Sequence, residues 1–599
     1  MKYSIPSLAL LGGFFAASLF AAQPDAGQLL REQQSQTERI PMQRLPGKEL
    51  SIITKQEPSA TGTFIQVKSF RFKGYDGLAT ESELQAVVHG AVGKFLGVPE
   101  LQQQVEKVTA LLKEKGFFLA RAYLPKQDVT EGTIEIAIIQ ARSDGEVSIS
   151  RTAGVRVRDE QLKAVAAKAI KPGQGIREND LERVLLLMND IPGVTARAVL
   201  APGVTPGTTR VTINVSESNL FTGATWVDNY GNRYTGAWRG NALLSVNDPI
   251  HIGDQFNFML SAAKGLAQGR ASYNAPIGSR GLRGNIAYSK MRYTLGEELA
   301  GLQGKGTADT INAGLNYPIV RTRLFNLNLN AGYEHKDLKD EAYGFNIRSK
   351  RISDATAGIT GDYSDRILGG GYTTWTASIT AGSLDLSGNS SDFNADQGRI
   401  VYDSSGNYIQ VPAPKTDGSY TRFNLSASRL QRLASQLTLY ASYFGQLASK
   451  NLDSGEKFNL GGPYGVRAYP VGEGSGDEGN LFSAELREDL PWGGKWGNVQ
   501  VFGFVDTGNV TLYKDKWAGA VHTATGDNEY WLSGTGLGVG VNKPGTYSVR
   551  LSYAHKLGEN PGRTVDTKNF LGQVVTPGGK DADGHADAGR FWLMGQVMF

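Results

Sequence analysis

The carboxyl-terminal part of the chain alternates between apolar and polar positions. In residues 325–333 one parity carries Phe, Leu, Leu, Ala and Tyr, whereas the other carries three asparagines and a glycine. The same alternation returns in later segments, at 375–379, 423–427, 437–443 and 547–553. Strands with one apolar and one polar face are typical of a transmembrane β-barrel with a wet lumen. The pattern therefore predicts such a barrel over residues 218–599.

The end of the chain and its long polar stretches fit the same barrel. Residues 591–599 keep apolar or small side chains at every second position and end on Phe599, so we interpret them as a terminal strand that carries a barrel-assembly signal. Three polar stretches predict extracellular loops: about 383–418, 514–528 and 556–589. A soluble β-sandwich is the alternative, but it would need no terminal aromatic strand.

Four glycines lie at alternate positions of one predicted strand: Gly534, Gly536, Gly538 and Gly540. They share one face of that strand, where bending or a close approach in the lumen explains them better than phosphate binding. They form no dinucleotide fingerprint, because an alternating strand does not open a helix.

Two consecutive units of about 75 residues precede the barrel. Residues 64–140 predict a strand, two helices and two strands, and residues 145–215 repeat that order. Pro99 suits the first turn of the second helix, and Gly116 ends it. The repeat predicts two small α/β domains, each with an open-edged sheet that can receive an added strand; rigid spacers are the alternative.

The amino terminus predicts three segments that differ in composition. Lys2, an apolar run over residues 5–20 and small residues up to Ala22 are typical of a secretory signal peptide, with a membrane anchor as the alternative. Residues 24–40 predict a short polar helix with few apolar contacts, or a disordered tail. Residues 41–62, rich in Pro and Gly, predict a linker.

Composition removes several classes of function. The 599 residues carry a net charge of only +4 with scattered basic side chains, which gives no indication of a nucleic-acid partner. The absence of cysteine excludes disulfides, thiolate metal sites and Cys nucleophiles. The six histidines lack a short metal-ligand spacing, and residues 581–587 resemble a calcium loop without its closing Glu. We therefore expect neither an enzyme nor a cofactor or metal.

Two motifs in the barrel stand out. A glycine-rich segment, residues 461–477, contains Val466, Arg467, Ala468 and Tyr469 and lies in a predicted loop over about residues 448–479. The following strand carries Phe504-Val-Asp506. A guanidinium fork fits a carboxylate at two points, and a narrow lumen would screen such a pair less than open water does.

These motifs and domains together resemble the outer-membrane assembly and translocation superfamily. The small units look like POTRA domains, the loop resembles the V-R-G-Y/F motif, and Phe504 with Asp506 resembles the F-x-D motif. Ala468 stands where that motif usually has Gly. The resemblance implies a barrel of sixteen antiparallel strands, whose sixth extracellular loop folds into the lumen so that Arg467 pairs with Asp506.

Two domains before the barrel point to the two-partner secretion transporters (TpsB type). The resemblance extends to residues 116–128, 181–193 and 228–231 and covers essentially the mature chain. It implies the following organisation: signal peptide 1–22, plug helix 23–40, linker 41–62, POTRA domains 63–142 and 143–217, and barrel 218–599.

The same resemblance implies a function in the bacterial outer membrane, with the POTRA domains in the periplasm. We expect the protein to export a large secreted passenger with an amino-terminal secretion domain, without ATP, and to contact outer-membrane lipid and, during biogenesis, the barrel-assembly machinery. A factor that inserts other barrels is one alternative, because it would share the motifs. A passive pore without a protein partner is another.

Overall fold

The computed structural model describes residues 23–40, 65–398, 400–402, 408–492, 494–568 and 574–599. The predicted signal peptide and linker lie outside these residues. The described part contains an amino-terminal helix, two small α/β domains and a closed barrel. Among the described helices, none is long and apolar enough to cross a membrane.

The helices and the strands of the small domains have the following bounds: α1 Ala26–Glu38, α2 Glu81–Val88, α3 Val98–Glu114, α4 Asp159–Ala169, α5 Glu178–Asn189, α6 Ser390–Gln397, β1 Ile65–Gln66, β2 Ser69–Lys73, β3 Phe95–Leu96, β4 Arg121–Tyr123, β5 Thr133–Ile139, β6 Arg142–Ser143, β7 Ser148–Arg151, β8 Val194–Pro202 and β9 Thr208–Glu217. Short 3₁₀ turns occur at His89–Ala91, Glu297–Leu302, Ile367–Gly369, Ser454–Glu456 and Gly494–Trp496.

Both small domains pack two helices on a three-stranded arrangement with a central carboxyl-terminal strand. In the first, β5 lies between β2, to which it is parallel, and the antiparallel β4. In the second, β9 lies between the parallel β7 and the antiparallel β8, and β6 adds to the same sheet. Each domain has its own apolar core. The predicted element order is therefore present in both.

One predicted strand of the first domain is wrong over half of its length. The pattern of residues 117–124 indicates a strand, but only Arg121–Tyr123 is extended. Phe117 N–H donates to Leu112 O, and Ala120 N–H donates to Phe117 O, so these residues form a turn. Phe117 and Ala120 are both buried in the domain core, which explains why an apolar run here does not reflect a strand.

Within the described residues, sixteen antiparallel strands close the barrel. They are β10 Phe221–Asp228, β11 Arg239–Asn247, β12 Gln255–Ala263, β13 Leu266–Pro276, β14 Arg283–Thr294, β15 Lys305–Arg321, β16 Phe325–Ala342, β17 Phe345–Asp365, β18 Gly371–Asp385, β21 Gly418–Arg432, β22 Leu437–Ala448, β25 Glu478–Leu490, β26 Asn498–Thr511, β27 Glu529–Lys543, β28 Tyr547–Lys556 and β31 Gly589–Met598. The strands β10 and β31 pair and so close the cylinder. The predicted fold is confirmed.

The loops carry small hairpins: β19 Ile400–Tyr402 with β20 Tyr408–Gln410, β23 Phe458–Asn459 with β24 Ser475–Gly476, and β29 Thr567–Lys568 with β30 Val574–Thr576. We call the barrel end next to the small domains the near end and the other the far end. The connection from β22 to β25 leaves the far end, and we call its residues 449–477 loop 6.

The two faces of the barrel wall differ as the alternation predicts. On β16 the odd positions Phe325, Leu329 and Tyr333 are exposed on the outer surface, whereas Asn326 on the other parity is buried. Phe599 adds to this outer surface: its N–H donates to Gly223 O, and its ring covers Gly223. Polar side chains are therefore buried inside the barrel.

Candidate functional site

Loop 6 folds back into the lumen and places Arg467 against the wall. Its Nε lies 2.8 Å from Asp506 Oδ2, and its Nη2 lies 2.8 Å from Asp506 Oδ1. The backbone N–H of Arg467 also donates to Asp506 Oδ2, at 3.1 Å. Arg467 is 7% exposed and Asp506 is fully buried. This geometry is a two-point guanidinium–carboxylate pair, which is both strong and directional.

Further groups hold the guanidinium in place. Glu485 Oε2 lies 2.7 Å from Arg467 Nη1, and Ser483 Oγ donates to Asp506 Oδ1 at 2.6 Å. The Phe504 ring centroid lies 3.4 Å from the Arg467 guanidinium carbon, as in a cation–π contact. From β31, one of the two strands at the barrel seam, Trp592 Nε1 donates to Arg467 O at 2.7 Å. Loop 6 is therefore fixed through both the side chain and the backbone of Arg467.

Glu485 is the centre of a larger charged cluster. Arg487 Nε lies 2.6 Å from its Oε1, and Arg550 Nη2 lies 2.7 Å from the same oxygen. One carboxylate thus faces three guanidinium groups, counting that of Arg467. Asp506 supplies a second negative charge, which offsets part of the positive charge of the three buried guanidinium groups.

The neighbours of Arg467 pack tightly in the same place. Val466, Ala468 and Tyr469 are fully buried with Phe502 and Phe504 in one apolar cluster. Ala468 has no positive φ, so the side chain that replaces the usual Gly adds no backbone strain. Its Cβ faces Gly534, where an added Cβ would lie only 2.6 Å away.

The alternate glycines of β27 make room for this packing. A Cβ at Gly536 would lie 2.4 Å from the Phe504 ring, and one at Gly538 would lie 2.1 Å from the Phe502 ring. Close lumenal approach therefore accounts for Gly534, Gly536 and Gly538, whereas a Cβ at Gly540 would lie at an ordinary 3.7 Å from Val549 O.

The helix α1 fills the lumen beside loop 6. Its N-cap Asp25 accepts from Lys350 Nζ at 2.9 Å and from Ser454 Oγ at 2.7 Å, and Lys350 also bonds to Asp453 at 2.7 Å. At the other end, the Arg39 guanidinium lies 4.3 Å from the Phe444 ring centroid. The helix thus touches the wall and loop 6 at once.

The buried face of α1 carries polar as well as apolar side chains. Glu32 accepts from Asn232 Nδ2 at 3.2 Å, and Gln36 Nε2 donates to Tyr230 O at 3.0 Å. Its apolar contacts come from three residues at its amino-terminal half: Ala26, Leu29 and Leu30. The segment predicted as a plug helix is therefore helical and lies in the lumen.

A second polar contact joins loop 6 to the loop between β28 and β31. Asn560 Nδ2 donates to Glu473 Oε1 at 2.9 Å and to Asp581 Oδ1 at 3.0 Å, and Lys556 Nζ lies 2.5 Å from Asp581 Oδ2. Burial, together with the nearby charge of Asp581, raises the pKa of Glu473 to about 7. The contact therefore carries less negative charge at neutral pH than its two acids suggest.

Residues 581–587 do not form a cation site. Asp581 is paired with Lys556, and Asp583 Oδ2 lies 2.7 Å from Arg590 Nη2. In the described part of the chain, no group of three or more His, Cys, Asp or Glu side chains is placed to hold a metal ion.

The second small domain docks on the near end of the barrel. Arg321 Nη2 and Nε lie 2.7 and 2.9 Å from the two carboxylate oxygens of Asp190, which follows α5. Arg323 Nε lies 3.2 Å from Glu182 Oε1. Between the domain and the wall is a cavity of about 410 Å³.

A family model for haemolysin secretion/activation proteins of the ShlB/FhaC/HecB type matches residues 207–541, and one for the ShlB-type POTRA domain matches residues 65–141. The first match covers more than half of the chain. The chain belongs to this family.

Relatives align over nearly the whole protein. The heme/hemopexin transporter protein HuxB of Haemophilus influenzae is 27% identical over 587 residues, which cover 96% of this chain and 99% of HuxB. The outer membrane transporter CdiB of Dickeya dadantii is 22% identical over 547 residues, 87% of this chain and 91% of CdiB.

Two solved structures share the fold. CdiB from Escherichia coli superposes with a TM-score of 0.68 at 18% identity and covers 96% of this chain and 99% of its own. CdiB from Acinetobacter baumannii gives 0.60 at 17% identity, with full coverage of both chains. As a member of the ShlB/FhaC/HecB family, the protein is an outer-membrane transporter of the TpsB type, whose POTRA domains lie in the periplasm and which exports a partner protein.

The sequence pointed to Arg467 and Asp506 but not to their partners. Glu485 and Ser483 lie on one face of β25, two positions apart, and only the pairing of β25 with β26 places Ser483 opposite Asp506. A charged residue at a lumen-facing strand position was the available signal for Glu485. Lys350 of β17, which holds Asp25, carried the same kind of signal.

Proposed function

We propose that this transporter binds an unfolded passenger at its POTRA domains and passes it through the lumen while α1 is displaced. The observation that carries the proposal is that α1 fills the lumen without being part of the wall. It is held there by side-chain contacts such as those of Asp25 and Gln36. A lumen that is filled by a separate segment can be vacated without rebuilding the barrel.

The edges of the small sheets support passenger binding. β8 is a nine-residue edge strand of the second domain, and in the described residues it pairs only with β9. An extended polypeptide can add to such an edge through main-chain hydrogen bonds, which do not depend on its side chains. Folding of the passenger outside the cell would make return unfavourable, so that export needs no ATP.

In this mechanism loop 6 stays anchored to the barrel wall. Loop 6 must keep its place while α1 leaves, since it shares the lumen with the moving chain. The Arg467–Asp506 pair, with Glu485 and Trp592, supplies that anchor. Val466, Ala468, Tyr469 and Phe504 support it by packing.

The outer surface supports contact with lipid and with the assembly machinery. Large apolar side chains such as Leu260, Ile311 and Leu537 are exposed on the strands, where a lipid bilayer would cover them. Phe599 is 65% exposed at the end of the last strand. We propose that it is read by the barrel-assembly machinery during biogenesis.

Comparison of the culture supernatant and cell surface by mass spectrometry, with and without this gene in its native host, tests the proposal. We expect one large protein to disappear from both fractions. A general loss of outer-membrane barrels would indicate an assembly factor instead. Ion conductance with no change in any exported protein would indicate a passive pore.

A further inference from the structure

Two cavities follow one another along one wall of the lumen. The cavity at the near end, which we call the entrance cavity, is lined by Asp362 of β17 and Tyr372 of β18. A second cavity of about 270 Å³ is lined by Thr360 and Thr374 of the same strands. Residues two apart on a strand share a face, so the second cavity continues the first along the wall.

The wall of the second cavity is rich in hydroxyl groups. Six half-buried side chains on β17, β18, β21 and β22 form what we call the hydroxyl wall: Thr360, Thr374, Thr376, Ser426, Ser428 and Ser442. Thr374 Oγ1 and Ser428 Oγ lie 3.0 Å apart, and Asn330 Nδ2 donates to Thr360 Oγ1 at 3.0 Å. Thr376 Oγ1 also donates to Thr360 Oγ1 at 3.4 Å, and all six side chains are uncharged.

Several charged groups border the hydroxyl wall, and those of the barrel and of loop 6 in the second cavity are paired, whereas Arg39, which also lines that cavity, lies at the end of α1. At the entrance, Arg321 is held by Asp190. In the second cavity, Arg467 and Glu485 are held by each other and by the cluster around them. Farther up, Lys336 Nζ lies 2.5 Å from Glu456 Oε1. The route along the wall thus runs from a charged entrance to a neutral interior.

The second cavity also contacts α1 and loop 6. Its lining includes Arg39 and Ile40 at the end of α1, and Tyr464 at the tip of loop 6. A chain that advances along the hydroxyl wall therefore reaches the carboxyl-terminal end of α1 first.

We propose that the passenger enters as an extended polypeptide through the entrance cavity and moves along the hydroxyl wall rather than along the facing wall of β10–β13. A long passenger carries both signs of charge, and an unpaired lumenal charge would hold or repel parts of it, because charge-assisted hydrogen bonds are the stronger ones. Neutral hydroxyls exchange partners with water and favour no sequence. Passage requires binding at many sites, each weak enough to release.

This inference rests on the proposed function and can be tested by cross-linking, because the chain contains no cysteine. The probe is the passenger that the gene deletion identifies, carrying one introduced cysteine and a carboxyl-terminal disulfide-locked domain that stalls it in transit. Full-length transporters would carry Thr374→Cys, Ser428→Cys or Ser442→Cys. The matched control is Asn257→Cys on β12, a half-buried neutral position of the facing wall whose Oδ1 accepts from Ser245 Oγ at 2.7 Å.

We expect disulfide formation with the stalled passenger to be at least about fivefold higher at the three hydroxyl-wall positions than at Asn257→Cys. Equal yields, or a higher yield at position 257, would overturn the route while export itself stands. Absence of any exported partner in the wild type would overturn the proposed function and the route together.

A second measurement keeps the route testable if stalling fails. Ser428→Arg places a charge on the hydroxyl wall and should lower export about tenfold, whereas Asn257→Arg should lower it less than twofold. Heat-modifiable mobility on gels would verify that both barrels are assembled. Equal effects of the two arginines on export would contradict the route.

Discussion

Loop 6 and α1 both lie in the lumen, yet they are held by different kinds of contact. Loop 6 is joined to the wall at both ends, and its residues Phe458, Leu460 and Tyr469 are fully buried in an apolar cluster. The helix α1 lies beside it with Arg31, Glu32 and Ser35 among its buried side chains. The loop is held by this apolar cluster together with buried ion pairs to the wall at Asp453, Glu456 and Arg467. The helix has a smaller apolar contact, from Ala26, Leu29 and Leu30, and is otherwise held by polar side chains.

The difference has a physical consequence for movement. Exchange of a protein hydrogen bond for one to water changes the free energy by only about 0.5–1.5 kcal/mol. Exposure of a buried aromatic or aliphatic side chain costs about 1.5–3 kcal/mol each. Water that enters the lumen can therefore replace many contacts of α1 but few of loop 6. We therefore expect α1 to be released more readily than loop 6 inside the same barrel.

The largest effect is expected from Arg467→Ala. Removal of the guanidinium leaves the buried Asp506 without its main partner, which costs on the order of 3–5 kcal/mol. Export of the passenger should fall at least tenfold while the barrel still assembles, as measured by supernatant immunoblotting and heat-modifiable mobility.

A matched control for this variant is Arg429→Ala. Arg429 makes a similar fork with Asp365, at 2.8 and 3.0 Å, but on the wall near the other end of the barrel and with 28% side-chain exposure. Its removal should leave export within about twofold. Normal export by Arg467→Ala would remove loop 6 from the mechanism.

Deletion of residues 24–40 should open the lumen. Because α1 fills space beside loop 6 and is not part of the wall, we expect a clear increase in single-channel conductance in planar bilayers. The loop-6 contacts should survive, so protease resistance of residues 449–477 should not change. An unchanged conductance trace would show that another segment closes the pore.

Asp25→Ala should loosen α1 without removing it. The substitution removes the acceptor of the Gln28 N–H at the start of the helix, whereas Lys350 keeps Asp453 as a partner. We therefore expect α1 to be held less tightly by roughly 1–3 kcal/mol, the cost of one buried polar group left without a partner. The open fraction of single channels should rise about tenfold, yet less than in the deletion. As a control, Gln34→Ala removes only a 3.4 Å contact with Glu334 and should behave like the wild type.

The smallest effect is expected from Arg321→Ala at the near end. Its pair with Asp190 is about one quarter to one third exposed, and such pairs contribute about 0–1 kcal/mol. Hydrogen exchange in α5 should increase slightly, and export should stay within about threefold of the wild type. A loss as large as that of Arg467→Ala would mean that domain docking, rather than the lumen, limits export.

The local pattern of apolar and polar residues predicted most of the architecture. The alternation in β16 predicted which side chains face outward, and the repeat of the element order predicted both small domains. It failed at residues 117–120, because an apolar run buried in a turn has the same composition as one buried in a strand. The side chains around Arg467 were harder to predict, because Glu485 and Trp592 come from strands that are far apart in sequence.

The sequence by itself determined most strands and the element order of the small domains, because each depends on spacing within a few positions, and its resemblance to a superfamily singled out Arg467 and Asp506. Only the tertiary structure decided which side chains meet across the lumen. Closure of β10 on β31 brings Trp592 to the carbonyl of Arg467, and loop 6 carries Asp453 to the lysine that holds Asp25. Those contacts depend on the register of the whole cylinder, which no local pattern encodes.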